Sequence, residues 1–216
     1  MKNIMNDIFL REQEVLPMNT EQRIIEEGKK LIEEYGFRKF TMHELADNLR
    51  ISKKTIYLHF KDKDHLISSI CDSFIANDLE EMNRAINATE DCVEKLRAVF
   101  FLYNIRTLRK KHLNQLKKYF PHDWEKFRAF SDNRKACVRE IYREGVEKGV
   151  FIAECPPVPN TPTPIGKEQT ADLLIFVLTS VIDQAFESEL AEYDFDVNTM
   201  LIYSYQMLIQ MFLVKK

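Results

Sequence analysis

The sequence predicts an all-α protein: a three-helix, helix-turn-helix head followed by a larger helical domain. Three observations carry that expectation. Apolar residues recur every three or four positions along most of the chain, the spacing of amphipathic helices. Residues that favour helix starts stand just before several of these stretches. No segment reads convincingly as a strand, and there is neither an internal repeat nor a glycine-rich phosphate loop.

The first helix covers about residues 21–35. Ile24, Ile25, Leu31, Ile32 and Tyr35 line one face, and Gly36 stands where a left-handed C-terminal cap would fall. Thr41-Met42-His43-Glu44 is a capping box that opens a second helix through Leu45, Ala46 and Leu49. Arg50 and Ile51 form a short turn. Ser52 is a fresh N-cap, and a third short helix turns Ile56 and Phe60 inward. Asp62 caps a long fourth helix in which Leu66, Ile67, Ile70, Cys71, Phe74, Ile75, Leu79, Met82 and Ile86 continue the stripe. Beyond Ala88, Val93, Leu96, Phe100, Tyr103 and Leu108 mark one helical segment. Trp124, Phe127, Phe130, Val138, Ile141 and Tyr142 mark another, entered after Pro121 and ending near Gly145 and Gly149. Residues 155–166 carry five of the seven prolines, which predicts an extended, mobile loop. Two further helices, about residues 167–189 and 197–214, close the chain. The expected division is an N-terminal extension (1–18), the head (19–66) and a larger C-terminal helical domain (67–216).

Composition narrows the function classes. Of 216 residues, 45% are hydrophobic and 30% charged, enough for a packed core under a solvated surface. No apolar run approaches the roughly 20 residues needed to cross a bilayer, so no membrane partner is expected. The first residues do not read as a secretory signal. Cys71, Cys92, Cys137 and Cys155 lie far apart, without the paired spacing of a zinc site or a disulfide framework. A cytoplasmic protein with reduced thiols is expected, with no cofactor and no metal. His43, His59, His65, His112 and His122 show no metal-ligand spacing, and no serine sits in a nucleophile turn, so no catalytic residue is assigned and the chain is not expected to be an enzyme.

The net charge is −3, but it is unevenly distributed. Between residues 50 and 63 stand Arg50, Lys53, Lys54, Lys61 and Lys63 against Asp62 alone. Such a patch is an electrostatic footprint for nucleic acid even in an acidic chain. It coincides with two short capped helices joined by a tight turn, an arrangement that puts the second helix in the major groove with its N-terminal residues nearest the bases. Ser52, Lys53, Lys54 and Thr55 occupy that end. Tyr57 and His59 stand on the exposed side as phosphate contacts, Lys63 is assigned to phosphate from the next helix, and Thr41 adds such a contact to its capping role. A second basic run, Arg106, Arg109, Lys110, Lys111, Lys117 and Lys118, interleaves with apolar residues at helical spacing and reads as a solvated helix face.

The pattern Thr41, Leu45-Ala46, Ile51-Ser52-Lys53, Thr55-Ile56-Tyr57, His59-Phe60, Lys63, Leu66 resembles the N-terminal domain of TetR/AcrR-family transcriptional regulators, over residues 19–65. Two positions depart from that family's pattern: Arg50 stands where glycine is common, and Lys54 replaces a small residue. The resemblance implies a homodimer that binds double-stranded DNA at an inverted-repeat operator, a repressor released by a small-molecule effector.

Eight of the chain's twenty-four aromatics fall between Phe100 and Phe130, and read either as an aromatic core or as an apolar effector pocket. The candidate lining is Phe100, Tyr103, Trp124, Phe127, Phe130, Tyr142 and Phe176, suited to a largely apolar ligand. The candidate dimer seam lies on the last two helices, at Ile175, Leu178, Ile182, Tyr205, Leu208 and Phe212. The alternative function is a helical ligand-binding or interaction protein whose head does not read DNA specifically.

Overall fold

The computed structural model describes residues 18–101, 110–155, 165–187 and 197–214; the expected N-terminal extension, Tyr103 and most of the proline-rich segment lie outside them. Nine helices account for almost all of these residues, and the one β-type pairing among them is an isolated antiparallel bridge between Phe151 and Leu213. The chain divides into two compact units, one ending at Ile70 and one beginning at Cys71.

The first unit is built by its capping residues. Helix α1 (Thr20–Tyr35) starts at Asn19, whose side chain accepts from the Gln22 amide at 2.8 Å while Gln22 accepts from the Asn19 amide at 3.0 Å. It stops at Gly36, whose φ of 83° and ψ of 168° lie in a region open to glycine but outside the expected left-handed helix. Helix α2 (Met42–Leu49) opens with the reciprocal Thr41–Glu44 box, and α3 (Lys53–His59) with the Ser52 hydroxyl accepting from the Thr55 amide at 3.0 Å. Each cap satisfies donors the helix start would otherwise leave open, at about 1 kcal/mol per cap. Ile24, Ile32, Phe37, Phe40, Leu45, Ile56, Phe60 and Leu66 are fully buried and form the core on which the three helices meet. Asp62 accepts from the His65 amide at 2.8 Å at the start of α4 (Lys63–Asn87).

The second unit comprises the rest of α4 with α5 (Cys92–Phe101), α6 (Lys110–Tyr119), α7 (Pro121–Glu147), α8 (Lys167–Glu187) and α9 (Val197–Phe212). Its core gathers Leu96, Val99, Ile141, Tyr142, Phe151, Leu174, Leu178, Leu201, Tyr205, Ile209 and Phe212. Tyr142 stacks on Phe151 with ring centroids 5.0 Å apart, meets Phe212 edge-on, and donates its hydroxyl to the Ile152 carbonyl at 2.8 Å. Tyr205 donates to the Val93 carbonyl, also at 2.8 Å. Burial pushes both phenols above their ordinary range, so both keep the proton that makes these bonds. Gly145 lies flat against Phe151: a Cβ there would fall 2.2 Å from the ring. All four cysteines are free thiols, and burial raises those of Cys71, Cys92 and Cys137 away from the thiolate.

Two sets of sequence expectations are corrected here. Ile175, Leu178, Tyr205 and Phe212 are already buried within the single chain, because the stripe read as a seam is the stripe that closes α8 and α9 onto the core. Leu208 packs against the same core, and the side chain of Ile182 lies outside the described ones. Phe176 is not a pocket residue, being 68% exposed, and Tyr142 is locked in the core contacts above.

Candidate nucleic-acid interface

The turn between α2 and α3 is made by Arg50, in the left-handed conformation at φ 55° and ψ 42°. Its amide bonds back to the end of α2, and Ile51 continues the reversal with a 3.0 Å bond to the Ala46 carbonyl. The non-glycine residue costs roughly 1 kcal/mol in this conformation, and in return presents a cationic side chain at the turn. Ser52 then starts α3, which is anchored by the burial of Ile56 and Phe60.

Everything else on α3 faces outward. Lys53, Lys54, Tyr57 and Leu58 are exposed, and Thr55 is half-buried with its hydroxyl 2.9 Å from that of Ser52. Among the described residues, no acid pairs with Arg50, Lys53, Lys54 or Lys61. The positive charge of this face is therefore not neutralised from within the head. His59 sits at the end of α3 with Nδ1 3.9 Å from Glu21 Oε2, near the start of α1.

Two of the expected phosphate contacts have structural work as well. The Thr41 hydroxyl donates to Glu44 Oε2 at 3.0 Å and accepts from the Glu44 amide at 3.1 Å. Lys63 turns its ammonium inward, donating to the carbonyls of Arg38 at 3.0 Å and Phe40 at 2.6 Å, with Nζ 4.4 Å from the Phe40 ring centroid. Desolvation lowers its pKa, the Asp64 and Glu44 charges acting in the opposite sense. Lys63 therefore joins the start of α4 to the α1–α2 connection, a role not visible in its place in the sequence.

The sequence profile described as "Bacterial regulatory proteins, tetR family" matches residues 24–70, the helices just described. The HTH-type transcriptional regulator YvaF of Bacillus subtilis is 32% identical over 128 residues, 57% of this chain and 66% of that protein. A second Bacillus subtilis HTH-type regulator, YerO, is 38% identical over 74 residues, 34% of this chain and 25% of that protein. The head of this chain is similar to that of the tetR family. The chain thus spans just under two-thirds of the length of one of these relatives and a quarter of the other. Likeness in fold extends further: a Saccharomonospora viridis structure, described as a putative transcriptional regulator in complex with choline, superposes with a TM-score of 0.70 at 16% identity. That match covers 90% of this chain and 98% of the other. The TetR family is one of regulators, not enzymes.

The second unit holds a cavity of about 40 Å³, lined by Val99, Phe100, Ser131, Arg134, Lys135, Val138, Ile175, Leu178 and Thr179. Of the sequence-predicted pocket residues among those described, only Phe100 reaches it. Phe127 and Phe130 are buried elsewhere, with Phe130 beneath the Arg134 guanidinium, and Trp124 lies under Lys117. Arg134, Ser131 and Thr179 were missed because aromatic density was the signal followed, and polar residues at cavity walls leave no such trace. Leu58 on α3, which the sequence reading did not single out, is exposed. No helix among the described residues is long and apolar enough to cross a membrane.

Proposed function

We propose that this protein is a DNA-binding transcriptional regulator that works as a homodimer on an inverted-repeat operator, with α3 as the recognition helix. The observation that carries the reading is the cationic outer face of the head: Arg50, Lys53, Lys54 and Lys61 surround an exposed α3 and have no acid partner among the described residues. Lys53, Lys54, Thr55 and Ser52 serve the base edges and nearby phosphates, and Tyr57, His59 and Thr41 serve the backbone.

The dimer is supported by the outward faces of α8 and α9. Phe176 on α8 and Tyr203, Met207 and Met211 on α9 are large apolar side chains left in solvent, the last three in register at four-residue spacing. A row of that kind is far from the scattered single exposures of a monomer surface and suits a second copy of the chain. Two heads related by a two-fold axis would read the two halves of a palindrome.

The cavity is the candidate effector site. It is too small to accept more than a few atoms without opening. Its charged members are Arg134, which donates to the Val99 carbonyl, and Lys135. Lys135 is already paired with Asp132 and the wall is almost wholly apolar, which favours a small, largely apolar ligand. Binding that favours one of two dimer conformations would loosen the hold on DNA, by about 5- to 150-fold for a coupling of 1–3 kcal/mol.

Selection of random duplexes on the purified full chain tests the reading. A retained palindrome is the expected outcome. With four such cations per subunit and about half of them on phosphate, log K against log salt should slope by about −4. A flat slope with no retained motif would instead favour a helical ligand-binding or interaction protein whose head does not read DNA.

A further inference from the structure

Leu58 is 75% exposed, more than any other large hydrophobic residue among those described, and it lies in the middle of α3. Its position is set by the two residues that anchor the helix. Ile56 and Phe60 are fully buried. At about 100° per residue Leu58 falls some 200° from Ile56, on the side facing away from the core, and Lys54 falls some 200° from it in the other sense, which leaves the two about 40° apart. Lys54 and Leu58 are therefore the i and i+4 members of the outermost ridge, with Thr55 and Tyr57 on its flanks. Nothing within the head covers Leu58, and the side chains exposed beside it on α3 carry ammonium, phenol or imidazole groups.

Water is a poor place for a leucine, whereas the major groove contains one apolar feature that fits it: the C5-methyl group of thymine. Neighbours at i and i+4 have Cβ atoms roughly 5–6 Å apart, so the ridge spans about two base-pair steps. We propose that Leu58 reads a thymine methyl in each half-site while Lys54, one turn earlier, serves acceptor atoms on a base within two pairs of it. The proposal rests on the DNA-binding reading above and adds a base identity to it. Lysine in this place favours guanine, whose N7 and O6 both accept.

The test starts from the palindrome recovered by selection on the full chain. Each thymine is replaced in turn by uracil, which removes the methyl and leaves every hydrogen-bonding group in place. The expected result is one thymine per half-site whose replacement weakens binding, by about fourfold for one half-site and about fifteenfold for both, as loss of one buried methyl-sized group predicts. Leu58→Ala should bind thymine and uracil duplexes alike, with an unchanged salt slope and an unchanged thermal midpoint, because the side chain is in solvent in the free protein. Leu58→Met should restore most of the thymine preference. Lys54→Ala should keep the uracil effect and lose discrimination one or two pairs away. A palindrome indifferent to uracil at every position, or a uracil effect that survives Leu58→Ala, would overturn the role of Leu58 and leave the regulator reading standing. Failure to recover any motif would overturn both.

Discussion

Lys63 shows how one side chain can be claimed by two jobs. Its charge and its place in the first turn of α4 suggest phosphate, yet its ammonium is spent on the carbonyls of Arg38 and Phe40. Replacing it removes two charge-assisted hydrogen bonds at a half-buried site, each of modest net worth. Lys63→Ala should therefore destabilise the head by about 1–2 kcal/mol, measured by urea unfolding in the absence of DNA. Unchanged stability with weakened DNA binding would return Lys63 to a phosphate role alone. Arg50 is the converse case, a side chain whose backbone is the cost. Arg50→Gly relieves the left-handed strain and should raise stability by roughly 0.5–1 kcal/mol. It should also make the salt dependence of DNA binding shallower by up to two charges per dimer. A loss of stability would mean the arginine side chain contributes more to the turn than its conformation costs.

At the scale of helices, the end of α7 is the tightest point. Gly145 admits the Phe151 ring, Gly149 turns the chain at a φ of 68°, and the bridge between Phe151 and Leu213 fastens the end of α9, with Ile152 donating to the Phe212 carbonyl at 2.9 Å. Gly145→Ala forces a methyl into the aromatic stack and should cost about 1–3 kcal/mol, the range for overpacking a close-packed core. Loss of stability should appear in the second unit, read by the tyrosine environment around Tyr142. If Gly145→Ala left the midpoint unmoved, the glycine would be a matter of helix ending and not of packing.

For the molecule as a whole, the proposed function requires two copies and two heads. Met207→Glu on the outward face of α9 should shift the full chain from dimer to monomer in sedimentation while leaving its helical content unchanged, since Met207 is 73% exposed in the single subunit. Operator affinity should fall with it, because each half-site then binds alone. A dimer that survives both Met207→Glu and Met211→Glu would place the seam elsewhere. A substitution at Tyr205 cannot serve for this test, as it would open the core before it reached any interface.

What local chemistry decides was legible in the sequence. The Thr41–Glu44 capping box, the Ser52 start of α3, the inward pair Ile56 and Phe60, and the conflict at Arg50 depend on residues within four positions of one another, so spacing alone reveals them. The helical class and the cationic patch are equally local. Distant partners were not legible. Lys63 meets carbonyls more than twenty residues away, Tyr205 reaches Val93 across more than a hundred, and the cavity draws its lining from three helices. Periodicity marks that α8 and α9 each have an apolar face but gives no label to the second one. In both helices the stripe taken for a seam closes the subunit, while Phe176, Tyr203, Met207 and Met211 remain outside. Only the packed structure separates apolar residues that bury themselves from those that stay in water, because burial is a property of the neighbours a residue acquires and not of the residue itself.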